Sequence, residues 1–224
     1  MNRRSRMVVT AAAGAAAALL LTACGGGDGK AEGDDKIAGV DTGTRPSTSP
    51  GAGAGVGVSG TASGGRPTVT LPSDARNVFE NETTGDVGKD AVLADNARRI
   101  ESIDDAIFRG SVNTEALGFY SAEGALDSAR RVVKGYLDDE RSWTGTTRYF
   151  DRRVTFRPDG GAVVVYCSDE SRSFLRNRKT DKVEKTPASA DTYVLYNTRL
   201  ARNPAGVWQT VNVISKRGAA RCRP

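Results

Sequence analysis

Apolar spacing in this chain changes period once, near residue 150, and that change restricts the fold more than any other feature. Upstream, Leu93, Ala97, Ile100, Ile103 and Ile107 recur at three- and four-residue steps, with Asp90 placed to cap the helix and Gly110 to end it. The stretch "NTEALGFY" reads as a short turn. From Ser121 the series Ala122, Ala125, Leu126, Ala129, Val133, Tyr136 and Leu137 predicts a second amphipathic helix. Downstream the period is two. "RRVTF" and "AVVVYC" flank Pro158-Asp159-Gly160-Gly161, and "TYVLYNTRL" and "VWQTVNVIS" flank Asn203-Pro204-Ala205-Gly206, which fits a type I turn. Two hairpins are therefore expected. Helices first and strands afterward predict the α+β class, with N-terminal helices on one face of an antiparallel sheet.

The remainder of the 224 residues has no such periodicity. Arg3, Arg4 and Arg6 precede an uncharged run from Met7 to Leu21 and the small residues Thr22 and Ala23, the order of a secretory signal. The run is short for a membrane span, which needs about 20 apolar residues. Leu21-Thr22-Ala23-Cys24 resembles the lipobox of bacterial lipoproteins, which implies acylation of the Cys24 sulfur and cleavage just before it. Several acyl chains on one residue meet the two-signal requirement for stable anchoring, each buried CH₂ contributing roughly 0.8 kcal/mol. From Gly25 to Pro67 glycine, alanine, serine and threonine dominate, too little apolar surface to offset the entropy of ordering. The expected organisation is a signal peptide at 1–23, a disordered Gly/Ala/Ser-rich linker at 24–90 and a folded domain at 91–224. The expected address is the extracytoplasmic face of the cell membrane.

Histidine is absent, which excludes Ser-His-Asp and Cys-His nucleophile activation and His-ligated zinc. Gly55-Val56-Gly57-Val58-Ser59-Gly60 spells G-x-G-x-x-G, but neither a strand before it nor a helix after it supports a dinucleotide site. No cofactor and no metal are expected. The formal net charge of +5 divides unevenly: residues 24–90 hold six basic and ten acidic side chains, and residues 91–224 hold 23 and 17. A basic body at an anionic surface is drawn toward headgroups or wall polymers. Nucleic acid is not an expected partner, since no aromatic series accompanies the charge as a stacking platform requires.

With Cys24 acylated, Cys167 and Cys222 remain as an even pair in an oxidising exterior, either bridged or as two free thiols. A bridge would contribute on the order of 4 kcal/mol by the loop-entropy argument. It would fasten the last strand to the sheet. "EALGFYSAEGALDSARRVVKGYLDDERSWTGTTRYFDRRVTF", then "VVVYCSDESRS", a Thr-x-Lys turn and a closing Trp strand with a terminal Cys resemble small secreted lipoproteins of Streptomyces-type actinobacteria. Their domain is similar to the nuclear-transport-factor-2-like cone. The resemblance implies helices filling the concave side of a curved, cone-like sheet, and a Cys167–Cys222 pair. Two positions depart from the pattern: Asp181 replaces a common glycine, tolerable because Asp visits the left-handed region, and Tyr166 replaces a common acid.

Several side chains carry possible chemistry. Arg172, Arg176, Arg178, Lys179, Lys182 and Lys185 form a basic tip suited to anionic lipid or wall phosphate, or equally a solvated connection between strands. Asp104-Asp105 and Asp138-Asp139-Glu140 invite an acid–base or metal reading. Helix neighbours point about 100° apart, so adjacent acids do not converge on one ion, and a solvated face is expected. Tyr149, Tyr166, Tyr193 and Tyr196 are placed either in the core or along a cone cavity, and Trp143 and Trp208 in the core. No catalytic residue is assigned. The expected role is a non-catalytic binding or scaffold module of the envelope, meeting the membrane through its anchor and an envelope protein or anionic wall polymer through its body. A small apolar-ligand carrier and a cone-fold enzyme using Tyr and Asp are the alternatives.

Overall fold

The computed structural model describes residues 65–224. The signal, Cys24, the G-x-G-x-x-G stretch and the linker up to residue 64 lie outside the described residues. The elements in chain order are β1 (Ala75–Phe79), α1 (Val87–Arg109), α2 (Glu115–Tyr120), α3 (Glu123–Asp138), β2 (Arg141–Phe156), β3 (Ala162–Asn177), β4 (Val183–Glu184), β5 (Tyr193–Arg202) and β6 (Trp208–Arg217). The sheet runs β1-β2-β3-β5-β6, with the short β4 pairing on β3, and the helices pack on this curved sheet. The α+β architecture is therefore as expected, and both anticipated hairpins form, β2–β3 and β5–β6. The sheet is mixed rather than antiparallel, because β1 pairs parallel with β2 from Ala75 opposite Gly145 to Phe79 opposite Tyr149.

That parallel strand corrects the expected linker boundary at residue 90. "ARNVF" is too short for alternation to stand out, and its partner lies about 70 residues downstream, so only tertiary pairing reveals it. Helix α1 is capped four residues earlier than expected. Asp86, in extended backbone, accepts from the Gly88 and Lys89 amides, while Asp90 sits in the first turn and accepts from Thr84. Gly110 ends the helix in the left-handed region, φ 71°, as its position suggested. "NTEALGFY" is a capped helix, not a turn. Thr114 accepts from Leu117, and six residues are too few for a stripe to register.

Strand β2 starts at Arg141, well before the period change near 150. Register shifts between Thr146 and Arg148 and between Phe150 and Arg153 break the alternation that would have marked it. Gly145 stands here at φ 100°, where a Cβ would come within 2.1 Å of the Arg172 carbonyl oxygen. Glycine is the residue that lets β2 and β3 approach this closely.

Packing separates into distinct clusters. Val92, Leu93 and Ile100 of α1 bury against Val164, Tyr166, Leu200 and Trp208 of the sheet. Ala106 and Ile107 meet Leu117 of α2 and Ala129 and Val133 of α3. Cys167 and Cys222 are bonded, Cα atoms 5.5 Å apart, and with Ala219, Phe150, Tyr193 and Leu195 they close a third cluster. The bridge ties β3 to the turn after β6. A cavity opens between the first two clusters.

Candidate functional site

The cavity, about 340 Å³, lies between α1, α3 and the facing strands. Helical spacing places Ile100, Ile103, Asp104 and Ile107 of α1 on one wall, and Ala129, Val132 and Tyr136 of α3 on the next. Period-two spacing turns Val213, Ser215 and Arg217 of β6 toward the same space. Strands β2, β3 and β5 complete it with Trp143, Thr147, Tyr149, Tyr166, Glu170 and Tyr196. Tyr166 stacks on Tyr196 at 4.9 Å and meets Tyr149 edge-on at 6.1 Å, so the floor is aromatic with hydroxyl tips. Apolar and hydrogen-bonding surface are combined, as in small-molecule sites.

Two acids line the cavity: Glu170, paired with Arg217, and Asp104, which has no cationic partner. Its Oδ1 accepts from the Trp143 indole N–H at 3.0 Å and its Oδ2 from the Asn77 amide at 2.7 Å, both neutral donors. Burial pushes its carboxyl up to about 7, the two hydrogen bonds opposing that rise only in part. Burial likewise raises the Tyr136 hydroxyl to about 12 and lifts those of Tyr149, Tyr166 and Tyr196 above the usual tyrosine range. At neutral pH all four are hydrogen-bond donors.

Arg99 is the cation of the cavity, and it is 5 % exposed. Among the described residues no carboxylate lies within ion-pair distance of it, and its Nε is buried without a partner. Burial holds its guanidinium below the usual value, the Tyr166, Tyr196 and Tyr149 hydroxyls opposing this, yet arginine stays protonated. Arg217 differs: it pairs with Glu170 at 2.7 Å. Arg152, 4 % exposed, lies outside the cavity lining, donating to the Leu93 carbonyl at 2.6 Å and stacking over Phe79.

The structure redistributes the residues singled out from the sequence. Asp104 and Asp105 do diverge, as helix geometry requires, but neither faces bulk solvent: Asp104 lines the cavity and Asp105 is 1 % exposed, bound to Arg109 and the Thr70 amide. The expectation of a solvated face there is corrected, because the segment before α1 covers it. Asp138 and Glu140 are exposed partners of Lys134 and Lys179. Tyr149, Tyr166 and Tyr196 line the cavity, whereas Tyr193 packs at the disulfide. Trp143 is 4 % exposed and also holds Asp104; Trp208 is core.

The basic tip divides in two. Arg176 pairs with Asp74 at 2.6 Å, Arg178 donates to the Ile107 and Phe108 carbonyls, and Lys179 pairs with Glu140. Arg172, Lys182 and Lys185 stay exposed, and Asp181 takes the left-handed conformation, φ 55°. Arg99 was missed in the sequence. Its signal was the four-residue step to the stripe member Ile103, which puts Arg99 on the same side of the helix. Among the described residues no cluster of His, Cys, Asp or Glu is grouped to hold a metal ion.

No family model matches the chain, and no curated protein matches it. Among solved structures, the intermembrane-space region of the chloroplast protein ARC6 aligns with a TM-score of 0.41 at 10% identity, covering 60% of this chain and 99% of that one. Aln2 from a Streptomyces species aligns at 0.39 and 17% identity, covering 60% and 93%. A ketosteroid isomerase-like protein from Erwinia carotovora atroseptica aligns at 0.37 and 17% identity, covering 56% and 95%. Likeness at this level does not extend to activity.

Proposed function

We propose that this chain is a lipid-anchored extracytoplasmic protein whose cone holds a small, mainly apolar molecule in the cavity between α1, α3 and the sheet. The observation that carries the reading is the cavity: the space above its tyrosine floor is left open rather than filled by the protein's own side chains, and its walls are largely aliphatic. A scaffold that needed only its surface would close such a space, since interiors pack to crystal density. The Cys167–Cys222 bridge supports an oxidising exterior. The lipobox-like residues at Cys24 support the anchor, and the exposed Arg172, Lys182 and Lys185 suit contact with an anionic wall polymer.

Saturable binding of the neutral dye N-phenylnaphthylamine tests the cavity. Fluorescence should rise on binding the wild type, and Ser173→Trp, which places an indole in the cavity, should abolish the rise while the fold persists. An unchanged response in that variant places the dye elsewhere and removes the reading. For the anchor, radioactive palmitate should label the wild type and leave Cys24→Ala blank.

Asp104 favours a second reading, an acid–base enzyme, because a carboxyl poised near neutral pH and open to a cavity matches the requirement for proton transfer. Exchange of a bound ligand's acidic C–H protons with deuterated water, lost in Asp104→Asn, would establish it.

A further inference from the structure

We infer that the cavity contains an anion subsite at Arg99, so that the ligand is an amphipathic monocarboxylate whose headgroup meets the guanidinium and whose apolar body lies along Ile100, Ile103 and Ile107. This rests on the cavity being a ligand site and specifies what the ligand must carry. The charge inventory supports it. Buried carboxylates Asp95 and Asp105 have arginine partners, Arg66 and Arg109, and the cavity's second arginine, Arg217, has Glu170. Of the two arginines in the cavity lining, Arg99 alone has no opposite charge within ion-pair distance among the described residues, although it is nearly enclosed.

A buried cation without a counter-ion is costly, and the fold offers Arg99 no compensating carboxylate. Asp104 does not supply it, since it forms no ion pair with Arg99 and its two oxygens accept instead from the neutral donors Trp143 and Asn77. A guanidinium presents a planar fork that matches a carboxylate with two parallel hydrogen bonds. Tyr166 and Tyr196 line the same space, and a neutral tyrosine hydroxyl is able to donate to an anion bound there. A single unpaired cation neutralises a single negative charge, which favours a carboxylate over a phosphate dianion. Outside, Val132 and Tyr136 continue from the cavity wall into a shallow depression lined also by Arg131, Asp139 and Arg141, the last paired with Glu184 at 3.8 Å.

Calorimetric titration of the full chain, kept unacylated by Cys24→Ala, with naphthoate and with its neutral isostere naphthamide tests the subsite. Naphthoate should bind at least about tenfold more tightly, the discrimination of one good charge-assisted pair. Arg99→Met should abolish the preference, bringing naphthoate down to the level of naphthamide. Arg99→Lys, which keeps the charge and loses the fork, should retain part of the preference. Naphthamide binding with no preference for naphthoate in the wild type would overturn the subsite and leave the cavity reading standing. Failure of both compounds to bind would overturn both. A preference that survives in Arg99→Met would place the anion elsewhere and equally overturn the proposal.

Discussion

Helix α1 has two buried faces, and both hold charge, but they treat it in opposite ways. On the face covered by residues 66–70, Asp95 pairs with Arg66 and accepts from the Trp208 amide at 2.9 Å, while Asp105 pairs with Arg109 and accepts from the Thr70 amide at 3.1 Å. On the cavity face, Arg99 has no carboxylate and Asp104 has no cation. The covered face is satisfied from within and serves to fasten the entering chain to the helix. On the cavity face Asp104 is met by neutral donors, and the charge of Arg99 is left for a ligand to complete. The contrast separates structural charge from charge held ready for a ligand.

Substitutions on the two faces should therefore differ in sign as well as size. The largest effect is expected from Asp95→Ala, which leaves the buried Trp208 amide unpaired and the part-exposed Arg66 without its partner: urea unfolding should show a loss of roughly 3 kcal/mol, the upper end of the range for an unsatisfied buried donor. A loss below about 1 kcal/mol, no more than an exposed pair contributes, would mean that the covered face is not held by its ion pairs.

Asp104 should give an intermediate effect that depends on pH. Its folded value of about 7 lies above the 3.8 of an unperturbed aspartate. Between those limits the folded chain keeps a proton that the unfolded chain has released, so stability should fall as pH rises from about 4 through 7, by a few kcal/mol at most. Asp104→Asn should flatten that slope. The Asn77 Oδ1 is buried without a partner, and an amide flip would let it accept from the new side chain. A slope that persists in the variant would assign the titration to another group.

The smallest effect is expected from Arg99→Met. Removing an uncompensated buried cation in favour of a similar apolar volume should leave stability within about 1 kcal/mol of wild type, or raise it. A loss as large as that of Asp95→Ala would mean that Arg99 belongs with the structural charges, erasing the difference between the faces.

The legibility of these faces in the sequence follows the range of the interactions that build them. Periodicity within α1 and α3 and turn chemistry at Pro158–Gly161 and Asn203–Gly206 are local, and they forecast the helices and hairpins correctly. Strand β1 and the covering segment from Arg66 depend on partners far along the chain, Gly145 and Asp95, so composition alone placed them in a linker. Bulges in β2 concealed its first half for the same reason. In the site, the tyrosines were visible as cavity candidates because aromatics on strands must face one side or the other. Asp104 was read as solvated because adjacent acids usually are, and nothing near it in sequence shows Trp143 or Asn77 closing over it.

The most direct measurement is an isotope-edited NMR titration of the protein with unlabelled naphthoate. The account predicts intermolecular contacts from the naphthyl protons to the methyl groups of Ile100, Ile103, Ile107 and Val213, together with a shift of the Arg99 guanidinium resonance. Contacts confined to exposed side chains such as Val87 or Ile214, with the cavity methyls and Arg99 unmoved, would contradict it.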